Sequence, residues 1–267
     1  MTTGRPNVAR APWPLVGMAA LGLTFLALPI IGLLQRMPWS AVPDLLGGTG
    51  VADAVRVSAV VSVAATVLCV VLGLPVAWVL ARVQFRGKRF ARALVLLPMV
   101  LPPVVGGTAL PFALRRRGLV GSRLDDWFGV TLPFTTAGAI VAATFVSLPF
   151  FVVTVEAALG GLDERYEETA STLGANPLFT FFRVTLPLVR PAIIAGAALS
   201  WARALGEFGA TITFAGDSPG RTRTLPLEIF VALETQPERA LALSLVLVSI
   251  SLLILVALRG RWLGARP

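Results

Sequence analysis

Residues Leu162–Pro191 read LDERYEETASTLGANPLFTFFRVTLPLVRP. This polar stretch carries its own helix punctuation and lies between two strongly apolar spans, so its reading decides the fold. Asp163 is placed to cap a helix whose first turn carries Glu164 and Glu167, the sign that suits the positive end of a helix dipole. Tyr166, Ala170 and Leu173 share one face at helical spacing. Gly174 falls at the left-handed position that closes a helix. Asn176-Pro177 reads as the cap and first residue of a second short helix through Phe182, which Thr185-Leu186-Pro187 is expected to end. A first helix of about ten residues is roughly 15 Å long. That is too short, and too charged, to cross a bilayer. The stretch is therefore expected to be a structured hairpin at a membrane surface, built to touch something.

The rest of the chain is the membrane. Of 267 residues 56% are hydrophobic and only 14% charged, against roughly 25% charged in ordinary soluble domains. Mean hydropathy is +0.82. Six apolar spans can be drawn at about Trp13–Leu34, Val57–Leu80, Ala93–Leu114, Thr136–Leu159, Ala192–Phe214 and Ala240–Leu258, each near the roughly 20 residues a crossing needs. The fold class expected is all-α: one polytopic transmembrane helical bundle of six spans, with residues 162–191 as its surface loop. The first span is longer than a secretion-signal core and reads as a retained helix.

An even number of spans puts both termini on one side. The loop Arg82–Arg92, RVQFRGKRFAR, holds five basic residues and argues for a cytoplasmic location on the positive-inside rule. The same orientation places both termini and the 162–191 loop in the cytoplasm. Arg115, Arg116 and Arg117 weigh the other way.

Composition also excludes chemistry. There is no histidine and one cysteine, Cys69, which removes a structural zinc site, a catalytic histidine and an intrachain disulfide. Lys88 is the single lysine, followed by Arg89 and with Arg82 where a phosphate-binding loop needs glycine. No cofactor is expected in this chain; ATP and Mg, if they drive it, belong to another subunit. The net charge of +9 comes from arginines scattered between apolar spans, without the aromatic interleaving of a nucleic-acid surface, so no nucleic acid is expected.

Two spans carry unusual residues. LLPMVLPPVVGG, with Pro98, Pro102, Pro103, Gly106 and Gly107, should break or kink the third span beside a pathway or at an irregular packing contact. The fifth, SWARALGEFGATITFAG, holds Ser200, Arg203, Glu207, Thr211 and Thr213. Ionisable groups at this depth are expensive and face a bundle interior or a wet cavity. Arg203 and Glu207, four apart, are expected to pair on one helical face that Ser200 and Thr211 extend. The pair reads either as a packing element or as part of a translocation route. Arg115–Arg117, Arg123, Arg221 and Arg223 read first as solvated external-loop charges, and second as charges that meet acidic patches on a partner or gather anions near the mouth.

The first stretch resembles a known loop. Glu168-Thr169-Ala170, then Gly174, then Val184-Thr185-Leu186-Pro187 is similar to the EAA loop of ABC importer permeases, with Thr169 in place of alanine and Val184 in place of isoleucine. The resemblance implies that Tyr166, Glu167, Glu168, Thr169, Ala170, Gly174, Leu186 and Pro187 couple to an ATPase. ARALGEFGATITFAG with SPGRTRTLPLEIF, and the third and fourth spans, resemble the molybdate-type permeases of that family. Sulfate/thiosulfate-type permeases share R-A-x-G-E-F/Y-G, so tetrahedral oxyanions fit better than any one of them. The resemblance further implies an inner-membrane protein that works with a second copy of itself, two cytoplasmic ABC ATPase subunits and an external substrate-binding protein.

Two other classes are weaker. An ion-coupled secondary transporter should show paired discontinuous helices in two halves; Glu207 supplies a carboxylate, but no matching half is visible. A membrane-embedded enzyme lacks a nucleophile with a plausible base.

Overall fold

The computed structural model describes residues 12–262. Among these residues every regular element is helical, as expected. An apolar helix α1 (Trp13–Gln35) leads to a short α2 (Val42–Leu46) and a long α3 (Thr49–Arg82). Next come α4 (Lys88–Val100), α5 (Pro103–Leu114), a short α6 (Gly121–Phe128) and a long α7 (Thr136–Gly160). The polar hairpin is α8 (Arg165–Thr172) and α9 (Pro177–Thr180), which passes through a π-helical turn (Phe181–Thr185) into α10 (Leu186–Leu205). Then follow α11 (Gly209–Phe214), α12 (Leu225–Thr235) and α13 (Pro237–Trp262).

Among the described residues, five helical runs are long and apolar enough to cross a membrane: α1, most of α3, α7, the continuous run Pro177–Leu205, and Pro237–Ile254 in α13. The third expected crossing is a broken one. α4 stops at Val100, Leu101 and Pro102 are extended, and α5 starts at Pro103. Two successive prolines explain the break, since a residue before proline is pushed out of the helical region while Pro103 suits a helix start.

The core is a three-helix pack of α3, α7 and α10. Phe151, Val152 and Val155 of α7 are fully buried against Cys69 and Ala77 of α3, with Val189 of α10 beside them. A neighbouring layer is built of small residues, Ala65, Ala139, Ala143 and Ala204 among them. This is how membrane helices approach closely where no water drives them together. At the end opposite the hairpin, Val51 and Ala54 of α3 meet Leu225 and Leu243 of α12 and α13. The α12 start is fixed there by Ser58 Oγ, which accepts from Leu225 N at 2.6 Å. By contrast α1 has no buried residue, and Leu21 and Phe25 are each 76% exposed; such a helix belongs in lipid.

Two expectations about helix ends need correction. Leu186-Pro187 does not end the second hairpin helix. The π-turn bonds Leu186 N to Phe181 O, and this wider register carries the helix past Pro187, which has no N–H to give. The fifth span, expected as one helix to Phe214, ends at Leu205 and resumes at Gly209.

Candidate functional site

The hairpin is fastened to the bundle at its base. Arg82, the last residue of α3, donates from Nη2 to Leu162 O at 3.2 Å. Its Nη1 lies 3.5 Å from Glu164 Oε1 and its Nε 3.1 Å from Glu167 Oε2. The other Glu167 oxygen accepts from Thr185 Oγ1 at 2.7 Å, and Thr185 is buried. Trp78 of α3 meets Phe181 edge-on with ring centroids 6.1 Å apart. One carboxylate thus joins α8, α3 and the π-turn that opens α10.

The turn between the two short helices follows from three residues. Asp163 Oδ1 accepts from Arg165 N at 3.0 Å, which starts α8 one residue later than the sequence suggested. Gly174 has φ +83°, a conformation that favours glycine. Around it Gly174 N bonds Ser171 O and Ala175 N bonds Ala170 O, each at 3.0 Å, the paired closure of a Schellman motif. Asn176 Oδ1 then accepts from Phe179 N at 2.8 Å and caps α9.

The outer surface of this hairpin is apolar for a polar segment. Tyr166, Leu173, Leu178 and Phe179 are 55%, 84%, 71% and 54% exposed. Ala170, Gly174, Asn176 and Val184 line a depression between them. Of the residues expected to couple, Tyr166, Glu168, Thr169, Gly174 and Pro187 are exposed, while Ala170 and Leu186 are half-buried. Glu167 does not face outward; it is spent on the base of the hairpin.

The fifth-span polar set is not one helical face. Ser200 is fully buried and donates to Ser147 O at 3.1 Å, which pins α10 to α7. Arg203 Nη1 lies 2.5 Å from Glu207 Oε2, so the expected pair exists. Glu207, however, lies in the break after α10, and its Oε1 accepts from Ala210 N at 2.7 Å, bridging the two helices. Thr211 lies beyond the break, fully buried, with its hydroxyl unpartnered among the described residues. Thr213 bonds back to Gly209 O at 2.8 Å. α11 packs on α5 at Gly107, where a Cβ would collide with the Thr213 side chain and come within 2.7 Å of Ala210 Cα. The two interrupted membrane segments therefore meet each other, with Glu207 and Arg203 at the join.

A further cluster, at the opposite end from the hairpin, was not anticipated from sequence. Buried Glu228 on α12 accepts from Arg239 Nη2 at 2.9 Å and Arg223 Nη1 at 3.3 Å. Arg223 also donates to both Asp217 oxygens at 2.6 and 2.9 Å, and these bonds hold its guanidinium pKa above the ordinary arginine value. Arg223 is thus a paired loop anchor and not a free solvated charge. Arg116 is likewise held by Asp125. The sequence signal was a lone glutamate in the apolar run LPLEIF, which burial would force to find a cation.

The chain matches the family described as binding-protein-dependent transport system inner membrane component over residues 54–266. It is 46% identical over 223 residues to the molybdenum transport system permease protein ModB of Mycobacterium bovis, covering 84% of each chain. It is 40% identical over 212 residues to the sulfate transport system permease protein CysT of Salmonella typhimurium, covering 78% of this chain and 76% of that one. In three dimensions it superposes on a subunit of a bacterial ABC transporter involved in import of the acidic polysaccharide alginate, with a TM-score of 0.75, 16% identity and 96% of each chain covered; that likeness concerns the fold.

Proposed function

The chain belongs to the binding-protein-dependent transport system inner membrane components, and from that premise we propose that it is the permease of an ATP-driven importer of molybdate or the similar tungstate. As a member of that family it is a multi-pass inner-membrane transport subunit served by a binding protein. The finer reading adds a second copy of the chain, two cytoplasmic ATPase subunits that dock on α8 and α9, and both termini in the cytoplasm.

The observation that carries this reading is the fastening of the hairpin. Its exposed apolar surface suits a partner's cleft. Its base is tied through Arg82 to α3, and its second helix runs unbroken into α10. A displacement imposed on the outer surface reaches two membrane helices of the core directly. The cargo follows from kinship and from chemistry. A tetrahedral dianion cannot enter hydrocarbon unpaired, so the passage must be polar but weakly binding, with capture left to the external protein. Arg203 and Thr213, the partly exposed members of the polar set near the α10–α11 break, are the groups that would line it, and buried Glu207 would gate it through its bond to Arg203.

A sulfate-type cargo is the second reading, favoured by the identity to the sulfate permease. Competition uptake separates them. Vesicles holding this chain, its ATPase and its binding protein should accumulate molybdate, with tungstate competing and equimolar sulfate competing poorly. Equal competition by sulfate would reassign the cargo.

A further inference from the structure

Around Lys88 the chain does something electrostatically unfavourable. α4 opens KRFAR directly after Arg86-Gly87, with no acidic residue in its first turn and no side-chain cap. Basic charge at a helix N-terminus opposes the macrodipole, and the free N–H groups there attract anions. Lys88, Arg89 and Arg92 with Arg86 thus gather positive charge on the positive end of a helix. Only Arg92 has an acidic partner among the described residues: Glu156 of α7, 2.9 Å from its Nε.

Beside this charge lie two adjoining cavities. One, of about 410 Å³, sits between α3, α4 and α7 and is lined by Lys88, Arg92 and Glu156 at its polar end and by Val95, Leu96 and Val153 within. The other, of about 300 Å³, is walled by side chains such as Val76, Val79 and Phe85. Leu80 and Val95 border both. The site lies where α3 and α7 end and α4 begins, on the same side as the hairpin, since Arg82 of α3 grips it. A basic pocket beside an apolar slot, where two membrane-spanning helices end, matches the form of an amphiphile with an anionic head.

We propose that this crevice binds one anionic phospholipid, its phosphate against Lys88 and the α4 N-terminus and an acyl chain in the slot beside Val95. The bound lipid neutralises the charge gathered at the start of α4 and braces α4 against α3 next to the hairpin base.

The test is native mass spectrometry of the full-length protein in mild detergent, offered phosphatidylglycerol or phosphatidylcholine of identical chains. Phosphatidylglycerol should be retained preferentially. Lys88→Gln should cut that retention about fivefold, the effect of one basic residue near an anionic headgroup. Val95→Trp, which fills the slot and leaves every charge in place, should cut it as well. Equal retention of the two lipids, or Lys88→Gln leaving retention unchanged, overturns the site. Displacement of the lipid by millimolar inorganic phosphate makes it a free-phosphate site instead. Loss of co-purifying ATPase in Lys88→Gln with lipid retention intact makes the loop a protein contact, and overturns the proposal too.

Discussion

Glu167 accepts a hydrogen bond from Thr185 at 2.7 Å, which fastens the first hairpin helix to the turn that opens α10. The same carboxylate faces Arg82 at 3.1 Å. Arg82→Ala removes the cation from a largely buried site and leaves Glu167 to Thr185 alone. Hydrogen bonds to charged groups contribute about 1.5–3 kcal/mol, so amide exchange across 165–173 should speed up at least tenfold. Thr185→Val should give a smaller change of the same kind. Hydrogen exchange by mass spectrometry reads both, and unchanged exchange in Arg82→Ala would show the hairpin to be held by other contacts.

Gly174→Trp leaves the membrane helices untouched but puts a bulky residue at a left-handed position on the exposed face of the hairpin, where the ATPase is proposed to dock. The cost of that backbone conformation for an L-residue is roughly 1–2 kcal/mol, enough to disorder the turn without unfolding the bundle. The variant should insert normally and lose ATP-dependent uptake. Normal uptake would remove the docking role of the turn.

Arg203 and Glu207 are not a symmetric pair. Arg203→Ala takes away one partner of the carboxylate, whereas Glu207→Ala also uncaps Ala210 N. Glu207→Ala should therefore lower the thermal midpoint in detergent more than Arg203→Ala does. The double change should not restore it, and Glu207→Gln should retain part of the cap. Full rescue by the double change would reduce Glu207 to a mere charge partner.

Gly107→Leu drives a side chain into Thr213 and the α11 backbone. Overpacking of a tight contact costs about 1–3 kcal/mol, and here it should part α5 from α11. Uptake should fall while insertion persists; a cysteine pair across the contact should crosslink in the parent and not in the variant.

The hairpin was legible because its signals are local. Asp163, Gly174 and Asn176 act on backbone groups within three residues of themselves, and each does so in the structure. Five of the six apolar spans, which appear as helices long and apolar enough to cross, were legible for a similar reason, since lipid demands composition alone. What escaped depended on partners distant in the chain. Glu167 looks like an outward charge until Arg82 and Thr185 are brought to it. Arg203 and Glu207 obey helical spacing even though the helix stops between them, so spacing predicted the pair and misplaced Thr211. Pro187 reads as a terminator unless the π-turn before it is known, and five ordinary residues, FFRVT, give no hint of that register.

The claim on which the functional reading rests is that this subunit is a passive conduit driven through one hairpin by a separate ATPase. Uptake of molybdate into vesicles should be measured with this chain alone, and then with the ATPase and binding protein added. Accumulation against a gradient is expected only in the complete assembly, and it should vanish when the ATPase is omitted. Concentrative uptake by this chain alone would contradict the claim outright.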